Sequence, residues 1–476
     1  MKKIFNKLII GALAAISLSS CQRDLLSLNE NPKQPAILPS ETLLAMGQQQ
    51  FFYYTHTGSV NFNNYRFFVQ QWAETTYTDE TNYDLITRNQ PRNHWNRMYV
   101  YSLNNYETAK KNLVAEPVAS EVIRTNMNAT LEISQIVVWE NLVNTYGDIP
   151  YFDALKADEG NFAPKYDDDK AIYTDLLSRI TAVVATINES ADGYGSGDLV
   201  YGGDMTKWKH LANSVKLRLA LNLADTDPAA AKAAAESAYA SGVISSDEEA
   251  YTLQFAGGTF NNPIYDDLVA SGRNDFVPSE LLINTMNAKN DPRRETWFTQ
   301  VNGAWVGGVF GSLNPFNGKS HLTDFFLAAD GPAKYLGYEE VLFMRAEAAQ
   351  RGFNVGGTAV TLYNQAVLTS MELNGVSTAD AAAYLAAHPY DAANWKKSIG
   401  EEAWVALFDS PFAAWTFARR LDNPVFVNPP NSKTEGVPVR MIYSDQEYVL
   451  NKANVTAAAS AIGGDKVITK LFWDVN

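Results

Sequence analysis

The lone cysteine, Cys21, constrains this 476-residue chain more than any other feature. No disulfide can form within the chain, so its fold must be held by an apolar core. The material for one is present: 46% of residues are hydrophobic and 19% are charged, the balance of an ordinary folded protein. Length alone suggests about three domains, although single helical or barrel domains also reach this size.

Cys21 closes a segment of three parts. Lys2, Lys3 and Lys7 precede an apolar run from Leu8 to Leu18, broken only by Gly11 and Ser17. The run is too short to cross a bilayer and reads as a cleaved secretory segment. The tetrapeptide Leu18-Ser19-Ser20-Cys21 resembles the lipobox of bacterial lipoproteins. That resemblance implies cleavage before Cys21 and two or three acyl chains on it, at about 0.8 kcal/mol per buried methylene. The competing reading is a soluble secreted protein with an ordinary cleavage site. Residues Gln22 to Pro39, with Asn29, Asn31, Pro32, Pro35 and Pro39, show no periodicity and read as an extended tether. The division expected is therefore a signal segment over 1–20, a lipidated N-terminus and tether over 21–39, and one folded domain over 40–476.

The formal net charge is −15, and loss of the three leader lysines makes it more negative still. Such a surface repels phosphate backbones and anionic lipid, so no nucleic-acid partner is expected and the membrane is reached through the lipid. Catalytic signatures are sparse. The five histidines (His56, His94, His210, His321, His388) lack zincin spacing, and Gly318-Lys319-Ser320 lacks the first glycine of a phosphate loop. No cofactor or metal is expected. Adjacent carboxylates, Asp79 with Glu80 or Asp266 with Asp267, keep an all-α glycoside hydrolase as the enzyme alternative.

Helix signals dominate the rest. Ser40 starts one helix; another is expected over Phe62 to Thr75, and a third over Pro91 to Val114. The longest begins at Pro117 and stops at Gly147. Asp167, Asp168 and Asp169 precede a further amphipathic run and read as helix-capping residues, since the glycine and distal glutamate of a calcium loop are absent. From Asp204 the pattern becomes helix followed by helix, with Trp208-x2-Leu211-Ala212 close to a tetratricopeptide spacing but without a regular period. Arg419 and Arg420 are expected to brace carboxylates. Two stretches depart from this pattern: Tyr77 to Tyr83, and the Gly- and aromatic-rich segment Trp297 to Ser320. Long loops of this kind tend to carry function.

Taken in order, Gln71-Trp72, Tyr146-Gly147-Asp148-Ile149-Pro150-Tyr151, Lys207-Trp208 with Ala212 to Arg218, Asn290-Asp291-Pro292-Arg293, Glu339-Glu340-Val341 with Ala346-Glu347-Ala348, and Ala414-Trp415 with Arg419-Arg420 form a combination. Together with the lipobox it resembles the SusD/RagB family of nutrient-binding outer-membrane lipoproteins. The resemblance implies a mainly α fold, a SusD-like helical domain on four degenerate tetratricopeptide-type helix pairs with long inserted loops. It also implies a SusC-type TonB-dependent outer-membrane barrel as partner, with the lipoprotein as its lid. The ligand would be an oligosaccharide or oligopeptide at the cell exterior, bound without chemistry. Sugar rings dock on flat aromatics while amides and carboxylates take the hydroxyls. The candidate ligand residues are Tyr77, Asp79 and Tyr83 in the first loop, with Trp305, Phe310, Phe316 and Asn317 in the second; Cys21 is the lipidation residue.

Overall fold

The computed structural model describes residues 37–475. The leader, Cys21 and the tether as far as residue 36 lie outside the described residues. No described helix is long and apolar enough to cross a membrane.

The frame is helical. The principal helices are α1 (Ser40–His56), α2 (Glu121–Tyr146), α3 (Asp169–Thr186), α4 (Met205–Asn222), α5 (Pro228–Ala240), α6 (Tyr338–Gln350), α7 (Ala359–Leu373), α8 (Trp395–Ala406) and α9 (Pro411–Leu421). Four pairs pack together: α2 with α3, α4 with α5, α6 with α7, and α8 with α9. Capping follows the sequence: Asp168, Asp204, Asp227 and Thr358 accept backbone N–H groups at the starts of α3, α4, α5 and α7. The longest helix starts later than its Pro117 signal, because Ser120 is the residue that accepts the Ile123 N–H.

Helix α2 is the axis of the domain. Every residue from Ile133 to Tyr146 is buried, polar ones included, so this half shows no single apolar face. Its polar side chains find partners on other elements. Glu140 pairs with Arg218, Asn141 accepts from the Tyr65 hydroxyl, and Asn144 accepts from Trp473 Nε1. Burial lowers His94 to about 4, so its neutral imidazole joins Tyr65, Asn141 and Tyr146. The last carbonyls of α2 are met largely by distant residues. Gly147 N–H donates to Val143 O, Arg419 Nη1 to Asn144 O, Met441 N–H to Thr145 O, and Arg440 Nε to Tyr146 O. Arg419 therefore departs from expectation: its hydrogen bonds run to the carbonyls of Asn144, Trp415 and Val439 rather than to a carboxylate. Arg420 does clasp a carboxylate, Glu347.

Strand content is small: β1 (Trp72–Glu74), β2 (Tyr251–Gln254), β3 (Phe276–Pro278) and β4 (Pro332–Leu336). They pair antiparallel as β1–β3, with Ala73 opposite Val277, and β2–β4, with Thr252 opposite Lys334. The helix expected over Phe62 to Thr75 is thus only Asn64–Phe68, and Trp72 lies on a strand. It is still core, as are Trp95, Trp139, Trp208 and Trp415.

Candidate functional site

The β1–β3 ribbon positions both sequence-predicted loops. The first leaves β1 at Thr75, whose N–H donates to Asp275 O across the ribbon. The second lies along the far end of β3: Gly308 N–H donates to Pro278 O, and Glu280 N–H returns to Gly308 O. This approach requires glycine at 307, where a Cβ would collide with the Ser279 and Glu280 backbone. Asn314 Nδ2 donates to Glu74 O at 3.0 Å, and Asn82 Nδ2 to Gly311 O at 3.0 Å, fastening the loops to each other. Residues more than two hundred positions apart thereby become one surface.

The expected ligand residues separate into five situations. Tyr77 is exposed, with the Arg88 guanidinium 4.5 Å and the Arg273 guanidinium 5.8 Å from its ring centroid. Asp79 is half-buried and pairs with Arg88 at 3.4 Å. Phe316 stacks on His321 at 3.7 Å and 8°, Asn317 next to it is exposed, and Phe316 shares an open groove of about 500 Å³ with Thr75, Thr76, Asn274 and Pro315. Trp305 is elsewhere in the second loop, held by Arg294 across its face at 4.4 Å and by its own Nε1 donating to Phe298 O.

Tyr83 is the correction. Its side chain is 1% exposed, its hydroxyl accepts from Gln70 Nε2, and its ring packs on Phe310 at 5.8 Å and Phe68 at 6.4 Å. Phe310, half-buried, is the second loop's half of that contact. This pair joins the two loops.

Beneath the first loop two carboxyl groups are buried together. Glu74 accepts the Thr81 N–H at 3.0 Å and its hydroxyl at 2.7 Å, while Glu80 pairs with Arg88 at 2.5 Å. Burial first, then the neighbouring Glu80, pushes the Glu74 carboxyl well above the usual range. Asp79 and Glu80 are thus engaged with Arg88, and Asp267 accepts from the Thr57 hydroxyl. Neither nominated pair stands free as an acid and a base.

Asp148, Asp168 and Asp169 form one grouping of carboxylates, with oxygens within 4.8 Å of one another. All three are already engaged in holding the fold. Asp148 accepts the Asp169 N–H, Asp168 caps α3, and the buried Asp169 accepts the Phe472 N–H. Burial, then Asp148, raises Asp169 to about 7.

Two residues that flank the Tyr77 ring escaped the sequence reading. Arg88 is the one cation between Thr75 and Gln90, a signal that could have drawn attention to it. Arg273 comes from a remote segment, and nothing in the sequence couples it to Tyr77.

Four helix pairs presenting inserted loops define a helical-repeat scaffold of tetratricopeptide-like kind. A SusD-like family model, described as starch-binding associating with outer membrane, matches residues 32–444, and the chain belongs to that family. Among solved structures, a chitin-binding protein is 27% identical, with a TM-score of 0.81 over 92% of this chain and 100% of its own. A SusD homolog from Bacteroides uniformis is 24% identical, with a TM-score of 0.78 over 91% and 99% of the two chains. A chitin-binding SusD homolog from Flavobacterium johnsoniae is 22% identical, with a TM-score of 0.77 over 92% and 98%. The curated proteins yield no match.

Proposed function

We propose that this chain is a surface lipoprotein that binds an oligosaccharide at the Tyr77 face and passes it to a TonB-dependent outer-membrane barrel, over which it acts as a lid. The observation that carries the ligand site is Tyr77 itself: an exposed ring flanked by Arg88 and Arg273, next to the groove bounded by Phe316. The ring offers a flat face for sugar C–H groups, and the guanidinium and Asp79 groups offer donors and acceptors for hydroxyls. Asn317, exposed beside Phe316, extends the candidate surface.

Glycan is favoured over peptide by the chitin-binding relative at 27% identity and by the starch-binding description of the family. Binding without turnover is favoured because Asp79 and Glu80 are tied to Arg88, Asp267 to Thr57 and Asp266 to Asn261. Anchoring rests on Cys21 and the lipobox resemblance.

Calorimetric titration of the soluble domain with chito-oligosaccharides and malto-oligosaccharides tests the reading. Saturable binding of one series without release of shorter products is the expected result. Tyr77→Ala should weaken it roughly tenfold, the equivalent of about 1.4 kcal/mol. Sustained product release would replace the binder with a hydrolase, and binding of oligopeptides alone would replace the ligand class.

A further inference from the structure

A second concavity shares no residue with the groove bounded by Phe316. It measures about 460 Å³, within the range of roughly 300–1,000 Å³ typical of small-molecule sites, and opens between the β2–β4 ribbon and the ends of α1, α7 and α8. Its two sides differ in chemistry.

One side is aromatic. Trp297 stacks on Phe408 at 5.2 Å and 17°, and Phe326 meets both rings edge-on, at 5.9 Å and 5.2 Å. Phe325 stands at right angles to Phe326 and is 45% exposed. These rings descend from a buried stack to an uncovered edge, so the aromatic wall reaches solvent at one place.

The other side is polar and carries both signs of charge. Asp409 Oδ1 lies 3.4 Å from His56 Nε2 and 3.6 Å from Arg66 Nη2. Lys334, on β4, pairs with Glu339, and Asp247 and Thr252 complete this side. Three carboxylates, Asp409, Asp247 and Glu339, stand beside two cations, Arg66 and Lys334, while burial keeps His56 neutral, so the wall does not favour an anionic ligand. It does offer carboxylate acceptors beside ammonium donors, the arrangement that matches vicinal hydroxyl groups, each of which donates and accepts. Burial pushes Asp409 up to about 7 against the pull of Arg66 and Lys334. The amides nearby are already spent: Asn374 accepts from Trp297 Nε1, and Asn262 Nδ2 donates to the Gly331 and Pro332 carbonyls. They hold the walls in place, while Thr252 and the ion-paired Asp409 and Lys334 line the cavity.

We propose that this cavity is a second carbohydrate subsite that takes one or two neutral sugar rings, with Phe325 and Phe326 against the C–H face and Asp409 and Lys334 toward the hydroxyls. The proposal rests on the carbohydrate reading given above and adds a site that recognises a short sugar independently of the loop groove.

The test is calorimetry of the soluble domain with glucose and with N-acetylglucosamine, alongside the oligosaccharide titration. Wild-type protein should bind one of these monosaccharides at one site. Phe325→Ala, which removes the exposed edge, and Thr252→Trp, which fills the cavity from β2, should each weaken that binding roughly tenfold or more. Tyr77→Ala should leave it unchanged while weakening the oligosaccharide. A crystal soaked in the same monosaccharide should show it between Phe325 and Asp409, a readout that does not depend on any variant folding. Oligosaccharide binding at the Tyr77 face with no monosaccharide in the cavity would overturn the second subsite and leave the first reading intact. Absence of any sugar binding would overturn both.

Discussion

Tyr77 and Tyr83 belong to one loop and meet opposite fates. Tyr83 has a left-handed backbone (φ 59°) in a turn where its N–H donates to Glu80 O, and this sends its ring inward to Phe68 and Phe310. Tyr77, just after β1, remains on the surface between two guanidinium groups. Tyr83→Ala should therefore cost about 3–5 kcal/mol, as for other large aromatic truncations in a core. Tyr77→Ala should stay within about 0.5 kcal/mol, as for surface changes. Urea denaturation of the two variants checks this, and equal losses would mean that Tyr77 is also structural. In the sequence both are tyrosines among Thr, Asp and Asn, and polarity of the neighbours said nothing about which ring turns under. That depended on Phe310, which arrives from the other loop.

At the scale of elements, buried arginines join one helix pair to the next. Arg218 on α4 reaches Glu140 on α2 and Glu340 on α6, and Arg420 on α9 reaches Glu347 on α6 and Asn222 on α4. Arg218→Ala would leave two buried carboxylates facing each other without their cation. The expected loss is about 3–5 kcal/mol. Replacing Arg218 by Met together with Glu140→Gln and Glu340→Gln should recover much of it, because no buried charge is then left unpaired. The penalty of Arg218→Ala should also grow with pH. Burial raises Glu340 to about 7 even with Arg218 present, above its value in an unfolded chain. A group shifted in that direction contributes its stability at low pH and loses it as pH rises toward about 7. Removing Arg218 deepens the shift, so denaturation midpoints of variant and wild type should diverge more at pH 8 than at pH 5. A constant difference would place the cost in lost packing instead.

At the scale of the molecule, the chain couples a helical-repeat frame to loops inserted between its pairs, and on the proposed reading a lipid joins the whole to a membrane. Cys21→Ala should move the full-length protein from the membrane fraction to the soluble fraction, leaving the thermal midpoint of the folded domain unchanged. Persistent membrane association of this variant, followed by fractionation and blotting, would defeat the lipid-anchor reading.

The helix pairs and their caps could be read in the chain itself, because capping and amphipathic spacing are local. Asp204, Asp227 and Thr358 each sit just before the helix they start, and Gly147 ends α2 where its glycine signal says. The buried tryptophans were likewise evident, since large apolar rings leave water wherever a core exists. What only the tertiary structure decided was long-range pairing: the short strands β1 and β3, Arg273 beside Tyr77, Arg419 on the carbonyls at the end of α2, and the cavity between Phe325 and Asp409. Each depends on segments far apart in the chain that share no local pattern. Side-chain identity states what a residue is able to bind, and the fold states which partner is within reach.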